Sequence, residues 1–196
     1  MEENRTPSPA QPEEEGLTYN LYCWLQTLVL AVVSIVLVFT FVGRITRVEG
    51  DSMRNTLHEG DLLLLQSIGY TPKTGDVVVL NKTTDETAVL LGGEAIVKRV
   101  IATEGQTVAI DYATSTVYVD NAPLDEPYVR ETMLPRSGPY SGQTPFVVPP
   151  GCIFVMGDNR NESTDSRNEF LGPVDTRYVL GGAVCILFPF SDFGLL

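Results

Sequence analysis

The stretch that decides the fold is Ala95-Ile96-Val97-Lys98-Arg99-Val100-Ile101-Ala102, in which apolar residues surround two basic ones. Such a run is typical of a buried β-strand. Short runs of this kind recur along the chain, bounded by turn residues, and helical periodicity is hard to find among them. We therefore predict an all-β domain. Its other predicted strands are Leu62–Gln66, Asp76–Leu80, Thr87–Leu91, Thr107–Ile110, Thr116–Val119, Gly151–Met156 and Gly182–Phe188.

An uncharged apolar segment precedes this domain, from Leu21 to Val42. At a rise of about 1.5 Å per residue it is long enough to cross the roughly 30 Å hydrocarbon core of a bilayer. A cleaved signal peptide would have a basic start and a shorter apolar stretch, whereas this segment follows an acidic, Pro-rich tail. We predict a disordered acidic tail over residues 1–20 and an uncleaved transmembrane anchor over residues 21–43.

The domain itself is predicted to consist of a core and an insertion. Residues 130–150 hold five prolines and no clear strand, which indicates an exposed loop or part of an inserted cap. We place the cap at residues 106–150, ending at the turn Val148-Pro149-Pro150-Gly151, and the core at residues 44–105 and 151–196.

Composition excludes several classes of function. The formal net charge is −12, so a nucleic-acid partner is not expected, because phosphate binding requires a basic surface. Three cysteines do not make a disulfide framework. Cys152 and Cys185 are either buried free thiols, which we favour, or one pair. His58 is the only histidine, which argues against a zinc site or a Ser-His-Asp triad.

Ser52 lies just beyond the anchor in the segment Gly50-Asp51-Ser52-Met53. A flexible glycine two residues earlier allows the hydroxyl and the Ser52 N–H to be presented together, the N–H as an oxyanion donor. An alternative is that Asp51 or Ser52 caps a helix. The serine alone does not distinguish a nucleophile from a cap.

A serine nucleophile without a histidine requires another base, and Lys98 is the best candidate. The apolar pattern of its strand predicts a largely buried side chain. Burial must lower the lysine pKa by several units from about 10.4 before the amine is neutral near pH 7. The neighbouring Arg99 stays charged and cannot serve. The alternative is a surface lysine on an edge strand.

A third polar segment runs from Gly157 to Arg167, after the apolar residues 152–156. Its hydroxyl, amide and charged side chains could hold a buried lysine and brace one another through Asp/Arg pairs. The alternative is an ordinary polar surface turn. The density of both charge signs after a buried strand favours a supporting role.

Together these segments resemble the type I signal peptidase family, membrane-anchored Ser/Lys endopeptidases that remove signal peptides from exported preproteins. Residues 50–57 are similar to the family's Ser-Met-x-Pro-Thr-Leu element, and residues 75–79 to the strand that follows it. Residues 98–101 are similar to the strand that carries the base. Residues 157–167 match the Gly-Asp-Asn-Arg-x-x-Ser-x-Asp-Ser-Arg element. Four motifs in the expected order make a chance similarity improbable.

The resemblance implies a signal-peptidase-like β core with a small inserted β cap, and roles for individual residues. Ser52 would be the nucleophile, Lys98 the general base and Ser163 the hydroxyl that orients Lys98. Cleavage would follow small residues at positions −1 and −3 of the substrate, without a metal or organic cofactor. Supporting residues would be Asp165, Arg167, Asp158 and Arg160, and the substrate pocket would be lined by Met53, Val48 and Val97.

The sequence departs from the family pattern at two single positions and in one turn. Asn55 stands where the family has proline, and residues 102–106 replace its Gly-Leu-Pro-Gly-Asp turn. Gly50 stands where some members carry a serine that supplies a second oxyanion donor, so that donor is unassigned. None of these changes removes Ser52 or Lys98, and we expect an active enzyme.

The resemblance also implies partners and a location: signal peptides of preproteins, membrane lipid and, as a further candidate, the secretion translocon. The catalytic domain would lie on the extracytoplasmic face of the cell membrane, held by a single span. The charge bias opposes this orientation, because Arg44 and Arg47 follow the anchor while only Arg5 precedes it. We follow the functional argument, since the rule is weakest when a long domain follows the span.

Two other hypotheses about function are considered. A self-cleaving Ser/Lys protease of the SOS-repressor type shares a Gly-Asp-Ser-Met element and a lysine strand, but would need a DNA-binding domain or a short cytosolic arm at its N-terminus. A catalytically silent β-domain, anchored at the membrane as an adaptor, would need no buried amine beside Ser52.

Overall fold

The computed structural model describes residues 13–41, 43–81, 95–138, 140–141 and 145–196. The chain forms two compact units, Met1–Thr40 and Phe41–Leu196. The first contains one α-helix and the second contains the strands. The predicted strand at residues 87–91 lies outside the described residues.

The helix, α1, runs from Glu13 to Phe41. Its Thr18–Leu37 part is apolar enough and long enough to cross a membrane, and none of that part is buried inside the protein. Apolar side chains exposed over such a length are typical of a helix surrounded by lipid. The helix begins before residue 21, where the disordered tail was predicted to end, because no proline interrupts residues 13–41. It ends at Phe41, and Gly43 already belongs to a strand.

The larger sheet has eight strands, and all its pairings are antiparallel. The strand order is β1-β2-β11-β3-β4-β9-β10, and β12 pairs with β11. The strands are β1 (Gly43–Arg47), β2 (Leu62–Gln66), β3 (Val77–Leu80), β4 (Ile96–Thr103), β9 (Cys152–Met156), β10 (Val174–Asp175), β11 (Val179–Phe188) and β12 (Gly194–Leu195).

A second sheet of four strands is formed by residues between 107 and 147, in the order β7-β6-β5-β8. Its strands are β5 (Thr107–Asp111), β6 (Thr116–Val119), β7 (Ala122–Pro123) and β8 (Phe146–Val147). Outside this sheet, a short 3-10 helix, Thr176–Tyr178, connects β10 to β11. The strands of this sheet are all antiparallel. The cap boundaries at residues 106 and 150 stay a prediction.

Strand β4, the stretch quoted first, lies inside the larger sheet between β3 and β9. Residues 97–102 are all buried, so both faces of the strand are covered. This explains why its sequence is a continuous apolar run rather than an alternating one. The two basic residues of β4 are therefore held within the protein.

The prediction of a mainly β chain with one N-terminal apolar helix is confirmed. Seven of the eight predicted strands correspond to observed ones, with ends that differ by up to three residues. Strands β7, β8, β10 and β12 were not predicted, because two residues give no pattern, and β1 was not predicted, because it has too few apolar residues. Cys23, Cys152 and Cys185 are all half-buried and form no disulfide bond, so Cys152 and Cys185 are not joined as a pair.

Candidate active site

The first part of the site is the turn that carries Ser52. Gly50 has a φ of +77°, a conformation that glycine adopts without strain, and it redirects the chain after β1. The backbone N–H groups of Thr56 and Leu57 both donate to the carbonyl of Met53 at 2.8 Å. Met53 and Leu57 are fully buried and fix the turn to the core. Ser52 stays half-exposed, where another molecule can reach its hydroxyl.

The second part is Lys98, near the middle of β4. Its side chain is buried, and its Nζ lies 2.6 Å from the Oγ of Ser52 and 3.0 Å from the carbonyl oxygen of Val97. The two residues are 46 positions apart in sequence, so the sheet brings them together. A buried amine in contact with an accessible hydroxyl can act as its base once the amine is neutral.

The protein lowers the pKa of Lys98 from 10.5 to about 8. Burial is the main cause, because the charged ammonium loses its hydration. The carboxylates of Asp165 and Asp158 oppose this effect, and the nearby Arg167 adds to it. The result is an amine of which about a tenth is neutral at pH 7.

The third part is the loop of residues 157–167, which approaches Ser52 closely at Gly157. A Cβ atom at position 157 would lie 2.4 Å from the Oγ of Ser163 and 2.5 Å from the carbonyl oxygen of Ser52. Only glycine fits between these atoms. Asn159 then fastens the loop to the turn, since its backbone N–H donates to the Ser52 carbonyl at 3.0 Å and its Nδ2 donates to the Asp51 carbonyl at 3.1 Å.

An ion pair joins this loop to β4. The buried carboxylate of Asp158 accepts two parallel hydrogen bonds from Arg99, from Nε at 2.8 Å and from Nη2 at 2.6 Å. The Thr56 hydroxyl donates to the same carboxylate and accepts from Arg99 Nη2 at 3.3 Å. The ring of Tyr128 covers the Arg99 guanidinium at 3.9 Å. The nucleophile turn, the lysine strand and the loop thus share one network.

A second ion pair joins the loop to the segment that follows β7. Arg160 is fully buried, and its guanidinium donates to both carboxylate oxygens of Glu126. Its Nε also donates to the carbonyl of Gly157 at 3.1 Å. The charge of Arg160 is therefore balanced by a residue from outside the motif. Glu126 indirectly supports the backbone position of Gly157.

The third ion pair lies within the loop, between Asp165 and Arg167, both fully buried. Arg167 donates to Asp165 from Nε at 2.8 Å and from Nη2 at 2.7 Å. Burial would by itself raise the pKa of Asp165, but the hydrogen bonds and charge of Arg167 outweigh it and hold that pKa below its ordinary value. Asp165 also accepts the Gly157 N–H at 3.1 Å, which keeps the glycine in place.

Ser163 lies in the same loop, with its Oγ buried. Within the part of the chain that the structure describes, this Oγ has no hydrogen-bond partner at ordinary geometry, Lys98 included, but it lies near enough to the Asp165 carboxylate to help lower the pKa of that group. The acceptors that Lys98 has instead are Ser52 and Val97. The orienting role of Ser163 stays a prediction.

The residues predicted to line the substrate pocket belong to an apolar cluster of the core. Val48 is 2% exposed, Met53 1% and Val97 6%. They pack with Leu57 and Leu63, among others, in one cluster, in which Met53 is the chain neighbour of Ser52 and Val97 is the chain neighbour of Lys98. A substrate side chain could meet them only through this small exposed fraction.

Four residues of the site were not predicted from the sequence: Thr56, Arg99 as an ion-pair partner, Glu126 and Asn159. Thr56 and Asn159 lie inside the motifs of residues 50–57 and 157–167, and this position in a motif was the one indication that they belong to the site. No local signal marks Glu126, which is 34 residues from Arg160.

Comparison with known proteins shows which family the chain belongs to. The family described as "Signal peptidase, peptidase S26" matches residues 21–188, which is most of the chain. The chain belongs to this signal peptidase family. Its resemblance to signal peptidases, inferred from four motifs, is confirmed, and the chain is a peptidase by family.

Signal peptidases from several bacteria are similar along nearly the whole length. A probable signal peptidase I of Synechocystis sp. is 35% identical, with 100% of this chain and 93% of the relative covered. Signal peptidase I of Bacillus licheniformis is 34% identical, with 88% of this chain and 91% of the relative covered. A solved signal peptidase I from Enterococcus faecalis superimposes with a TM-score of 0.41 and 26% identity, over 58% of this chain and 97% of that one. Signal peptidases of this family act on preproteins that carry signal peptides, and the apolar helix α1 fits a membrane-anchored member.

Proposed function

We propose that this signal peptidase is a membrane-bound serine endopeptidase in which Ser52 and Lys98 form the catalytic dyad. It cleaves N-terminal signal peptides from exported preproteins after small residues at positions −1 and −3. The observation that carries the proposal is the 2.6 Å contact between Lys98 Nζ and Ser52 Oγ, with the lysine buried and its pKa lowered to about 8. A silent adaptor would have no use for this arrangement.

In the proposed first step, neutral Lys98 accepts the Ser52 proton while the serine oxygen attacks the carbonyl carbon of the scissile bond. The carbonyl oxygen becomes an oxyanion. The Ser52 N–H is available to stabilise it, since among the described residues this group has no hydrogen-bond acceptor. The tetrahedral intermediate collapses as Lys98 returns the proton to the leaving amine. The mature protein departs with its new N-terminus, and the signal peptide stays bound to Ser52 as an ester.

In the second step, Lys98 accepts a proton from water, and the resulting hydroxide attacks the ester. Lys98 then gives the proton back to the Ser52 oxygen, which releases the signal peptide with a free carboxylate. An extended substrate segment would add as a strand beside the site. The loop of residues 157–167 would hold Ser52 and Lys98 at this distance, and Ser163 in that loop would orient the lysine.

The proposed location follows from α1 and the substrates. The helix would hold the chain in the cell membrane as a single span, with the catalytic domain on the extracytoplasmic face. Lipid and the translocon are proposed neighbours. Residues 106–150 would form a cap on the catalytic core of residues 44–105 and 151–196.

The proposal is tested by cleavage of a short lipid-tethered preprotein segment with Ala at −1 and −3. The full chain should cut after the −1 residue, as read by mass spectrometry of the products, and Ser52→Ala should not cut. Replacing Ala at −1 with Leu should stop cleavage by the wild type. Equal cutting by Ser52→Ala would assign the activity to another residue or protein.

The cleavage rate is expected to rise with pH. Because the base must be neutral and its pKa is about 8, kcat/KM should increase about tenfold per pH unit below pH 7.5 and level off above pH 8.5. A substrate without titratable side chains near the cleavage site should be used over pH 6–10. A rate that is flat between pH 6 and pH 8 would contradict Lys98 as the base.

Thr56→Val is expected to lower kcat/KM by about tenfold, with most of the change in kcat. The valine keeps the shape of threonine but removes the hydroxyl that joins the Ser52 turn to Asp158 and Arg99. Thr56→Ser retains the hydroxyl and should stay within about twofold of the wild type. Equal activity of the valine and serine variants would show that the hydroxyl has no positioning role.

A further inference from the structure

The only histidine of the chain lies beside two carboxylates that the proposed mechanism does not use. His58 Nδ1 is 3.6 Å from Asp192 Oδ2. One donor atom from each of His58, Asp61 and Asp192 lies within 4.8 Å of the other two. His58 and Asp61 come from the turn after the nucleophile, whereas Asp192 comes from the C-terminal segment between β11 and β12.

Hydrogen bonds hold the two backbone segments that carry these side chains. Asp61 accepts the His58 N–H at 2.8 Å through its carboxylate, and its own N–H donates to the His58 carbonyl at 3.1 Å. The Asp61 carbonyl accepts the N–H of Val48 at 2.8 Å, which attaches this turn to the end of β1. On the other side, the Asp192 N–H donates to the carbonyl of Pro189 at 3.0 Å.

The charge of Asp61 has no basic partner. Within the described part of the chain, neither Asp61 nor Asp192 forms an ion pair with a lysine or arginine. Asp61 is nevertheless 1% exposed. The other two fully buried aspartates, Asp158 and Asp165, each have an arginine. Asp61 accepts the His58 N–H but, among the described residues, has no arginine as the other two do, and buried charges are normally paired or bound to metals.

We propose that His58, Asp61 and Asp192 bind one divalent transition-metal ion, with Zn²⁺ as the reference ion. The single histidine argued against a zinc site, but that expectation did not take into account two carboxylates brought to the histidine by the fold. One imidazole with two carboxylates is a donor set that suits such ions, and zinc binds these donors at about 2.0–2.2 Å. Donors at that distance from a tetrahedral ion are about 3.4 Å apart. The 3.6 Å contact already meets this spacing.

The other distances between the donor atoms, which are at most 4.8 Å, can shorten by side-chain rotation. The side chains of His58 and Asp192 are 63% and 33% exposed and free to adjust, while Asp61 is the fixed ligand. Three protein donors leave a fourth position for water. The bound ion would fasten the C-terminal segment to the turn that follows Ser52. This is a binding property of the fold, and it does not depend on the proposed peptidase activity.

The test uses the full chain in detergent micelles, without an added histidine tag, and Zn²⁺ alone as the probe. Isothermal titration calorimetry should show saturable binding of one ion to the wild type. His58→Ala and Asp192→Asn should each weaken binding at least about tenfold. Glu59→Gln is the matched control, because Glu59 is an exposed carboxylate next to His58 outside the cluster, and it should bind like the wild type.

A second readout is the temperature of unfolding. Added Zn²⁺ should raise it in the wild type and in Glu59→Gln, and leave it unchanged in His58→Ala, since an ion that binds only the folded state stabilises it. Absence of saturable binding up to 1 mM Zn²⁺, roughly the weak limit of useful affinity, would overturn the proposal and leave an ordinary His-Asp contact. Equal binding by His58→Ala and the wild type would also overturn it.

Discussion

Lys98→Met is expected to abolish cleavage and at the same time to stabilise the fold at pH 7. Removal of the general base should lower kcat by at least about 10³-fold, because neither Arg99 nor another described group near Ser52 can take its proton. Methionine is close to lysine in length and shape, so it should occupy the same buried space. Loss of activity would therefore not reflect loss of structure.

The stability gain follows from the pKa of Lys98. The folded pKa of about 8 lies below the unfolded value of 10.5, a difference that corresponds to about 3 kcal/mol. Between these values the unfolded chain binds more protons, so the contribution of Lys98 to stability rises with pH. Below pH 8 the Lys98 amine is charged in the folded state, so the full cost of burying this charge lowers the free energy of unfolding. After subtracting the lost hydrogen bonds, we expect Lys98→Met to raise the free energy of unfolding by about 2 kcal/mol at pH 7.

Urea unfolding in detergent at pH 7 and at pH 10.5 would measure this gain, which should largely disappear at the higher pH. Lys73→Met is the control, because Lys73 is exposed, and it should change neither activity nor stability by much. A Lys98→Met chain that cleaves at the wild-type rate would refute the dyad. A gain that is the same at both pH values would refute the buried, pKa-shifted amine.

Glu126→Ala is expected to destabilise the fold by about 3–5 kcal/mol, because it leaves the buried guanidinium of Arg160 without its counter-charge. Arg160 also holds the carbonyl of Gly157, so the loop that contacts Ser52 should loosen. We expect kcat to fall by about tenfold or more in the fraction that stays folded.

Glu131→Ala is a matched control from the same segment. Glu131 is exposed and accepts one hydrogen bond, from the N–H of Asn161 at 3.0 Å, so its removal should cost less than about 1 kcal/mol. The loss of stability in Glu126→Gln should lie between those of Glu126→Ala and Glu131→Ala, since glutamine keeps hydrogen-bonding atoms but not the charge. Similar unfolding curves for Glu126→Ala and Glu131→Ala would show that Arg160 finds another partner.

The sequence was sufficient to predict the strands that have a regular pattern. Strand β4 is buried on both faces and appears as a continuous apolar run, and β2 and β6 have the ends that their patterns predict. Strand β1, with the sequence Gly-Arg-Ile-Thr-Arg, has too few apolar residues to be recognised. Its pairing with β2 depends on the sheet and not on its own composition.

The site was predictable where the residue type restricts the chemistry. A serine without a histidine partner and a lysine in an apolar strand identify candidates by elimination. Partners that depend on the fold were not predictable: Thr56 is 102 residues from Asp158, and Glu126 is 34 residues from Arg160. His58 and Asp192 come together for the same reason.

The ion pairs of the site also bear on how the chain can change over evolutionary time. A buried arginine that has lost its carboxylate is costly, so Asp158 and Arg99, or Glu126 and Arg160, cannot be replaced one at a time without a less stable intermediate. Most single substitutions at these positions would be removed by selection, while the exposed surface drifts freely. Relatives that keep only about a third of their residues in common should therefore retain these charges in pairs, and a substitution at one member should be accompanied by a substitution at the other.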